Sequence, residues 1–468
     1  MSYGSGDRYQ ITGQRGRALG SFDYWISINH YKKNYEVMPG NFEGTFNEDG
    51  ARRENSDSKG SAIDAKAGWQ FSSKGKINIA TGYLDSEKGI SPSTTSDYPN
   101  YWRFTDWKKW YIDMTGDYQF TKKIKMTAKL YQDSYDNTLA AYKDETYGQT
   151  KWISNYKNDV YGGFLNFDIA LAKHNRLILG VHRKDDKVKI QNNAGGPWEA
   201  YNIHTSSFVF QDEYTPFQRF TLLAGASYDL LSGFENWNDS IWGPQAGAVY
   251  RVTNNSSIHI LIGKKSRFPS LKEWHETTLY GGTSLKPEKA ISYDIGIKKS
   301  WGTLIFTELN FYHSTVTDLI TYQGRNNPFK NLASSRLRGL ELDLKFMPYK
   351  NLNTRIYYQY LNAIDLDTHQ ALEFRPEHTL GFTGSLITFY GYKFNISMDV
   401  VSKRYYYSSK DRLSLEPYFI AGFNLTKKFM SMFEIWINAK NLLDEFYEDE
   451  AGFPLPGREF STGLVLEF

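Results

Sequence analysis

The sequence predicts an all-β fold, a single antiparallel transmembrane β-barrel of about 22 strands with short periplasmic turns and long extracellular loops. The chain of 468 residues is hydrophilic on average, with a mean hydropathy of −0.57. Aromatic residues nevertheless make up 16% of it, too many for a disordered polar chain. No stretch approaches the roughly 18 consecutive apolar residues of a membrane-spanning helix. Strands that alternate lipid-facing with lumen-facing residues explain these observations together.

The strands are predicted from period-two alternation of apolar and polar residues, repeated along the whole chain. A helix would instead place its apolar residues three and four positions apart, which these segments do not do. The clearest segments, in chain order, are Phe22–Ile28, Ile124–Leu130, Ile258–Ile262, Ile291–Ile297, Tyr392–Val400 and Phe433–Ala439.

The connections between strands are alternately short and long, as in outer-membrane barrels. The short ones, predicted as periplasmic turns, include Ser72–Lys74, Phe120–Lys122, Ala172–His174, Thr215–Pro216, Thr253–Asn255, Ser300–Gly302, Tyr349–Asn351 and Tyr390–Gly391. The long ones, predicted as extracellular loops, are 35–58, 85–106, 137–156, 191–199, 231–241, 267–288, 323–331, 364–374, 404–414 and 442–457.

About 21 alternating segments can be counted, whereas single-chain barrels usually have an even number of strands. The segment Asp7–Arg15 runs inward from the outside, so only Met1–Ser5 remains to supply a preceding outward strand. We therefore expect residues 1–468 to form one barrel domain whose first strand is truncated. The segment Met1–Asp7 has neither a charged nor an apolar signal-peptide region, so we expect a mature or truncated piece.

The chain end and one tryptophan cluster indicate an outer-membrane location. The C-terminal aromatic alternation resembles the signal that the outer-membrane assembly machinery reads, and it consists of Phe460, Leu464, Leu466 and Phe468. A second cluster is predicted to form an interfacial aromatic girdle or, alternatively, to pack in the interior: Trp102, Trp107, Trp110 and Tyr111.

Composition also excludes several functions. With no cysteine, the chain has no disulfide, thiolate zinc site, iron–sulfur cluster or cysteine nucleophile. A net charge of +3 without a clustered basic face argues against nucleic acid as a partner. None of the 9 histidines lies in a nucleophile-elbow or zinc-helix motif. We therefore expect neither an enzyme nor a bound cofactor.

Five motifs in the second half of the chain carry a family resemblance. They are Phe268–Glu273 followed by Leu285–Glu288, then Arg338–Glu341, Arg375–Thr379, Asn441–Tyr447 and Pro456–Arg458. Each motif alone is weak, but together and in this order they resemble the barrel domain of TonB-dependent outer-membrane receptors. The period-two alternation extends the resemblance to the whole chain.

The resemblance implies energy-dependent uptake of a scarce metal chelate, with a ferric siderophore as the first expectation and cobalamin as the second. It also implies an N-terminal plug domain that engages TonB, and neither the plug nor that segment is recognisable in this sequence. The alternatives are a passive porin-like channel or a non-transporting barrel fragment. Other expected partners are the outer-membrane lipid and lipopolysaccharide.

Ligand contacts in such receptors are expected from the long outer loops. Aromatic side chains suit bulky organic chelates because they bury a large area at low entropic cost. The aromatic candidates are Tyr98, Tyr101, Trp102, Trp198, Trp237, Trp242, Trp274 and Tyr280. Basic residues could attract an anionic chelate or contact lipopolysaccharide phosphates, and these are Arg103, Lys264, Lys265 and Arg267.

One loop offers oxygen atoms that could ligate calcium. Its acidic and amide residues are Glu43, Asn47, Glu48, Asp49 and Asp57. The spacing is not that of an EF-hand, and Arg52 and Arg53 lie among the acids. A solvated polar loop is therefore the preferred interpretation, and the metal, if any, is left open.

Overall fold

The computed structural model describes residues 1–233, 237–321, 327–332, 334–408, 411–430 and 432–467. Phe468, the terminal aromatic of the predicted assembly signal, lies outside the described residues.

The molecule is one sheet of 22 antiparallel strands, as the sequence predicted. In chain order the strands are Ser2–Gly4, Arg8–Leu19, Phe22–Lys33, Ser58–Ser72, Gly75–Ile90, Trp102–Thr121, Ile124–Tyr142, Thr150–Ala172, Asn175–Gln191, Glu199–Phe217, Phe220–Gly233, Asn238–Thr253, Ser256–Arg267, Glu288–Trp301, Ile305–Thr317, Ser335–Tyr349, Leu352–Asp365, His378–Ile387, Tyr392–Val401, Tyr418–Phe429, Phe433–Lys440 and Glu459–Leu466.

The first strand closes the barrel. Ser2–Gly4 pairs with Arg8–Leu19 on one side and with Glu459–Leu466 on the other, so that Ser2 lies opposite Gly463. The prediction that Met1–Ser5 supplies an outward strand is therefore confirmed. Closure leaves no unpaired sheet edge, and this allows a sheet to cross a membrane with its backbone groups satisfied.

The strands carry apolar side chains on the outward face and charged pairs on the inward face. Exposed apolar residues mark the outward face, among them Ile260, Ile262, Ile295, Ile297 and Phe311. On the inward face, an Arg176 Nη lies 2.5 Å from an Asp168 carboxylate oxygen, and the Lys125 Nζ lies 2.8 Å from an Asp117 carboxylate oxygen. The lumen is thus polar, as alternation predicts for a water-filled barrel.

Several strands extend far beyond the membrane. Thr150–Ala172 has 23 residues and Trp102–Thr121 has 20, whereas about 9–11 tilted residues span a bilayer. The loops predicted at 85–106 and 137–156 are therefore too long, because the residues at both of their ends are still paired in strands. Above the bilayer both faces of a strand meet water, so apolar alternation fades although the hydrogen-bond ladder continues.

One predicted turn is misplaced. Thr215–Pro216 lies inside the strand Glu199–Phe217, and the turn follows at residues 218–219. The register shifts between Tyr214 and Phe217. Proline lacks a backbone N–H, so a strand tolerates it at such an irregularity.

The outer loops contain structure that the sequence did not predict. One helix, Leu271–Leu279, follows the strand Ser256–Arg267. Four short antiparallel ribbons pair Glu36–Val37 with Arg52–Arg53, Leu319–Thr321 with Lys330–Leu332, Arg404–Ser408 with Asp411–Leu415, and Glu448–Glu450 with Phe453–Pro454. Within the described ranges, no helix has the length and apolar character needed to cross a membrane.

Candidate ligand site in the upper lumen

Four aromatic rings from neighbouring strands form a continuous row on the inward face. Ring centroids lie 4.5 Å apart for Phe104 and Trp107, 5.1 Å apart for Trp107 and Tyr135, and 5.9 Å apart for Tyr135 and Tyr156. The first two contacts are edge-to-face, the geometry that ring quadrupoles favour. We call Phe104, Trp107, Tyr135 and Tyr156 the lumenal aromatic row.

Strand geometry places this row inside the barrel. Trp107 shares its face with Tyr111, whose hydroxyl donates to the Asp64 carboxylate at 2.9 Å. Trp110 and Ile112, on the opposite face, are exposed and apolar. Phe104 is three positions from Trp107, but a β-bulge between Phe104 and Asp106 returns it to the inward face. The predicted girdle is therefore wrong for Trp102, Trp107 and Tyr111, which face inward, and only Trp110 points outward.

A lysine adds positive charge to the row. The Lys88 ammonium lies 3.9 Å from the ring centroid of Trp107 and 5.6 Å from that of Phe104. Both distances fall within the range of cation–π attraction. Lys88 lies two positions from Ser86, which pairs with Trp107, so regular alternation turns it to the inward face. The row thus combines polarisable ring surface with a cation.

The Tyr156 end of the row opens into a cavity of about 520 Å³. This volume falls within the range of small-molecule sites. Its apolar lining comes from the barrel wall and from the loop that enters the lumen, and consists of Val188, Ile203, Leu231, Phe268 and Leu271. Its charged lining consists of Lys184, Asp186, Arg267 and Lys272.

The helix above this cavity is fixed to the wall by two tryptophans. Trp237 and Trp274 stack with centroids 5.5 Å apart at an interplanar angle of 13°. Both are buried, and they pack with Ile203 and Leu231. Ser270 caps the helix, because its side chain accepts from the Glu273 N–H while the Glu273 carboxylate accepts from the Ser270 N–H.

Arg267 ties the helix to the next strand. Its guanidinium donates to both Glu273 carboxylate oxygens at 2.8 and 3.0 Å, and to Glu288 at 2.8 Å. Burial alone would raise the pKa of Glu273, but Arg267 and the Ser270 N–H outweigh burial and lower it. Arg267, Trp237 and Trp274, all predicted ligand residues, therefore position the loop that lines the cavity.

Arg103 likewise joins two elements. Its guanidinium donates to both Asp57 oxygens at 2.7 and 2.6 Å and to the Asn55 side chain at 2.6 Å. Asn55 in turn donates to the carbonyl of Trp102 at 2.7 Å. Arg103 and Trp102 were predicted in a loop but begin the strand Trp102–Thr121. The indole of Trp102 lies 5.7 Å from that of Trp152, near the outer end of the lumen.

The remaining predicted contacts are scattered. Tyr98 is 89% exposed at a loop tip. Tyr101 packs edge-on against Tyr147 at 5.9 Å, and Tyr280 ends the helix. Trp198 lies 5.8 Å from the ammonium of the outward-facing Lys157. The structure does not bring these four into one site with the lumenal aromatic row.

Lys264 and Lys265 face opposite sides of the barrel, as consecutive strand residues must. Lys264 shares the outward face with Ile262, whereas Lys265 shares the inward face with Arg267. Trp242, also predicted as a loop contact, lies in the strand Asn238–Thr253, where it is exposed and packs against Tyr228 at 4.6 Å.

The possible calcium loop is organised by arginines. Glu48 is buried and accepts from Arg53 at 2.7 Å and from the Glu54 N–H at 2.9 Å. Asp57 is held by Arg103, as described above. In the part of the chain that the structure describes, no group of three or more His, Asp or Glu side chains could hold a metal ion. Glu48 also contradicts the solvated-loop interpretation, because its carboxylate is inaccessible to solvent.

Three outer loops interlock beside the aromatic row. The Gly457 N–H donates to the Val37 carbonyl at 2.9 Å, and the Thr94 N–H donates to the Gly452 carbonyl at 2.8 Å. The Asn47 side chain donates to the Ser93 carbonyl at 3.2 Å. We call these segments, residues 34–57, 91–101 and 441–458, the three-loop corner.

Acid should loosen the Arg103 anchor of this corner. Burial raises the pKa of Asp57, but the hydrogen bonds and charge of Arg103 outweigh burial and hold the pKa below its ordinary value of 3.8. The anchor therefore stabilises above pH 3.8, and its contribution is lost as pH falls through the lower folded-state pKa. We expect Asp57→Asn to remove about 1–2 kcal/mol of local stability at neutral pH and to abolish this acid dependence. Amide hydrogen exchange of residues 52–58 would measure both effects.

Asp97→Asn is the control, because Asp97 is exposed in the neighbouring loop of the same corner. Equal acid dependence in the Asp57→Asn variant and in the unaltered protein would contradict the assignment to Asp57.

The chain is a closed barrel of 22 strands with an apolar outer face. An aromatic site of ligand size lies in the lumen beneath its outer loops. These features define the class of large outer-membrane barrels that serve ligand transport. Residues 2–442 match the family described as TonB dependent receptor-like, beta-barrel. The chain belongs to this family of outer-membrane receptors.

Two solved structures illustrate the shared fold. The copper transporter OprC aligns with a TM-score of 0.86 at 16% identity, covering 100% of this chain and 81% of OprC. The FrpB iron transporter from Neisseria meningitidis aligns with a TM-score of 0.84 at 14% identity, covering 100% of this chain and 80% of FrpB. Identities this low support similarity of fold alone.

A sequence relative is the hemophilin receptor of Acinetobacter baumannii. It is 30% identical over 116 residues, which are 23% of this chain and 11% of that receptor. The match therefore spans a small part of the relative's length. The matched family and these relatives are receptors and transporters.

The residues that sequence reasoning missed are Phe104, Tyr135, Tyr156 and Lys88. Tyr135 and Tyr156 lie where polar residues occupy both faces of the strand, and Tyr156 falls within the predicted loop 137–156, so no local pattern marks either residue. The bulge that brings Phe104 to the inward face has no clear sequence signature.

Proposed function

We propose that this chain forms the barrel of a receptor for energy-dependent uptake of a metal chelate, with a ferric siderophore first and cobalamin second. The observation that carries the proposal is the lumenal aromatic row with its adjoining cavity, beneath the outer loops. Ring faces bury a large ligand area at low entropic cost. OprC and FrpB, which share this fold, are named as transporters of copper and iron, and a metal-containing ligand is the class we propose for this chain.

The charges of the site favour an anionic chelate. Lys88 lies against the aromatic row, and Lys184 and Lys272 line the cavity. Asp186 opposes them, and its carboxylate lies 2.7 Å from the Lys184 ammonium. Lys272 lies 3.8 Å from the Glu276 carboxylate. Lys88, which has no described carboxylate within the 4.0 Å ion-pair limit, would therefore be the main attraction for an anion in the upper lumen.

In the proposed sequence of events, the outer loops capture the chelate and the aromatic row seats it in the upper lumen. Inward release would follow when TonB pulls on a plug domain beneath the ligand. The barrel residues contribute binding, orientation and electrostatic attraction. The energy for transport would come through the plug and TonB.

Uptake in cells tests this proposal. We expect deletion of the receptor gene in its native host to reduce uptake of radiolabelled ferric siderophore or cobalamin, and expect loss of TonB to reduce uptake equally. Complementation with the unaltered gene is the control. Receptor-dependent uptake that persists without TonB would instead identify a passive channel, and unchanged uptake of both ligand classes would contradict the proposal.

A further inference from the structure

Four consecutive periplasmic turns carry only basic or neutral residues. Each turn has two residues between its strands, and the turns are 73–74, 122–123, 173–174 and 218–219. Their residues include five exposed cations and no carboxylate. The cations are Lys74, Lys122, Lys123, Lys173 and Arg219, and we call them the basic turn arc.

Backbone hydrogen bonds join each of these turns to the next hairpin. The carbonyl of Lys74 accepts from the Gln119 N–H at 2.8 Å, and the carbonyl of Lys123 accepts from the Ala170 N–H at 2.8 Å. The same contact recurs at the third and fourth turns, at 2.7 Å in both cases. The turns therefore form a continuous rim, on which neighbouring turns lie two strand spacings, or about 10 Å, apart.

The basic turn arc has no anionic partner among the described residues. For each of its five cations, no described carboxylate lies within the ion-pair limit of 4.0 Å. Carboxylates at the lower ends of the same strands are already paired, Asp117 with Lys125 at 2.8 Å and Asp168 with Arg176 at 2.5 Å. The arc therefore presents its positive charges to the periplasm.

This basic character is not shared by all periplasmic turns. On the opposite side of the barrel, the turns and strand ends expose large apolar side chains, namely Tyr349, Phe389, Tyr390 and Met430. Aromatic side chains in such positions suit the membrane–water interface. The charge of the basic turn arc is therefore a local feature of four neighbouring turns.

A cavity of about 370 Å³ adjoins the two middle turns of the arc, on the inward side of the wall. Its lining includes Lys122, Lys123 and Lys173, together with the ion-paired Asp168 and Arg176. Lipid head groups contact the outward side of a barrel wall, so this inward cavity is not theirs. It has room for the carboxylate side chain of a polypeptide. The arc and its cavity therefore fit an acidic chain better than a lipid.

We propose that the basic turn arc binds an acidic segment of another protein in the periplasm. Complementary charges of this kind speed the encounter of two proteins and select the partner. The four turns span about 30 Å, which an extended chain of about nine residues covers. Such a segment would place its carboxylates along successive turns. The proposal does not depend on the chelate site in the lumen.

Binding of a synthetic acidic peptide to the receptor tests the proposal. The receptor is expressed from its native gene and placed in phosphatidylcholine nanodiscs. The probe is a fluorescein-labelled peptide of about ten residues that alternates Glu with Ser, and fluorescence anisotropy measures its affinity. We expect Lys122→Gln/Lys123→Gln/Lys173→Gln to weaken binding by about tenfold at low ionic strength, because three small ion-pair contributions are lost together. The same peptide with Gln in place of Glu should not bind.

Three lysines on the opposite side of the barrel provide a matched control. Lys345, Lys350 and Lys393 lie at or near periplasmic turns, are exposed, and have no described carboxylate within 4.0 Å. We expect Lys345→Gln/Lys350→Gln/Lys393→Gln to change peptide affinity by less than about twofold. Both triple variants lose the same charge, so their comparison separates a local site from an effect of net charge. Heat modifiability on gels verifies that each variant is folded.

Three results would each overturn the proposal. The first is equal weakening of peptide binding in the two triple variants. The second is loss of peptide binding when the nanodiscs contain phosphatidylglycerol, which would assign the cations to lipid. The third is failure of the unaltered receptor to bind the peptide, as expected if another part of the receptor already occupies the arc.

Discussion

Trp107→Ala is expected to raise the dissociation constant of the proposed chelate ligand by about ten- to a hundredfold, or about 1.4–2.7 kcal/mol. Trp107 is the centre of the lumenal aromatic row, with ring contacts to Phe104 and Tyr135 and a cation–π contact to Lys88. Its removal would both delete ligand contact area and release the neighbouring side chains. Titration of the receptor in detergent with the ferric siderophore or cobalamin would measure the change.

The same strand supplies the control. Trp110 is three residues away but points outward and is exposed, so Trp110→Ala should leave the affinity within about twofold. Trp107→Phe should recover part of the loss, because it restores a ring at the same place. Equal affinities for Trp107→Ala and Trp110→Ala would remove the lumenal aromatic row from the ligand site.

Glu48→Gln is expected to open the three-loop corner. The Glu48 carboxylate and Arg53 guanidinium are 2.7 Å apart, with side-chain exposures of 0% and 2%. Removing one partner of a buried ion pair leaves the other charge uncompensated and costs about 3–5 kcal/mol. Arg53 also donates to the Pro92 carbonyl, so a displaced Arg53 would destabilise the neighbouring loop 91–101 as well. Hydrogen exchange within residues 34–57 and 91–101 should accelerate by about a hundredfold or more.

A second substitution distinguishes charge from shape. Glu48→Gln/Arg53→Met removes both charges, and we expect it to restore slow exchange in part, because apolar replacement of a buried pair is often tolerated. Glu87→Gln is the control, since the pair of Glu87 with Lys59 is exposed and should contribute little. Fast exchange in the double variant equal to that of Glu48→Gln would show that charge isolation is not the cause.

The fold was predictable because membrane strands leave a strong local pattern. One face of a membrane strand contacts lipid and the other contacts water. Segments such as Ile258–Ile262 or Tyr392–Val400 can therefore be recognised as strands from their own alternation, without knowledge of the strands beside them. Above the bilayer that constraint ends. The upper parts of Trp102–Thr121 and Thr150–Ala172 therefore resembled loops, although their backbones remain paired.

The site was less predictable because its members come from separate strands and loops. Residue type alone suggested Trp237, Trp274 and Arg267. The two tryptophans stack on each other, and Arg267 binds Glu273 in the helix and Glu288 in the next strand. The row required the register of three strands and the bulge at Phe104–Asp106. Neither feature has a local sequence signature strong enough to be recognised in advance.

The paired charges of the lumen bear on the mechanics of any protein domain that fills it. Each exposed ion pair contributes at most about 1 kcal/mol, and water can replace its hydrogen bonds as a contact separates. Pairs such as Arg176 with Asp168 stay within the wall when an occupant leaves. The work of extracting such a domain from the lumen would then be divided into many small steps, because no large apolar interface would have to be exposed to water at once. An occupant could therefore move along this hydrated wall under modest force while the barrel keeps its shape.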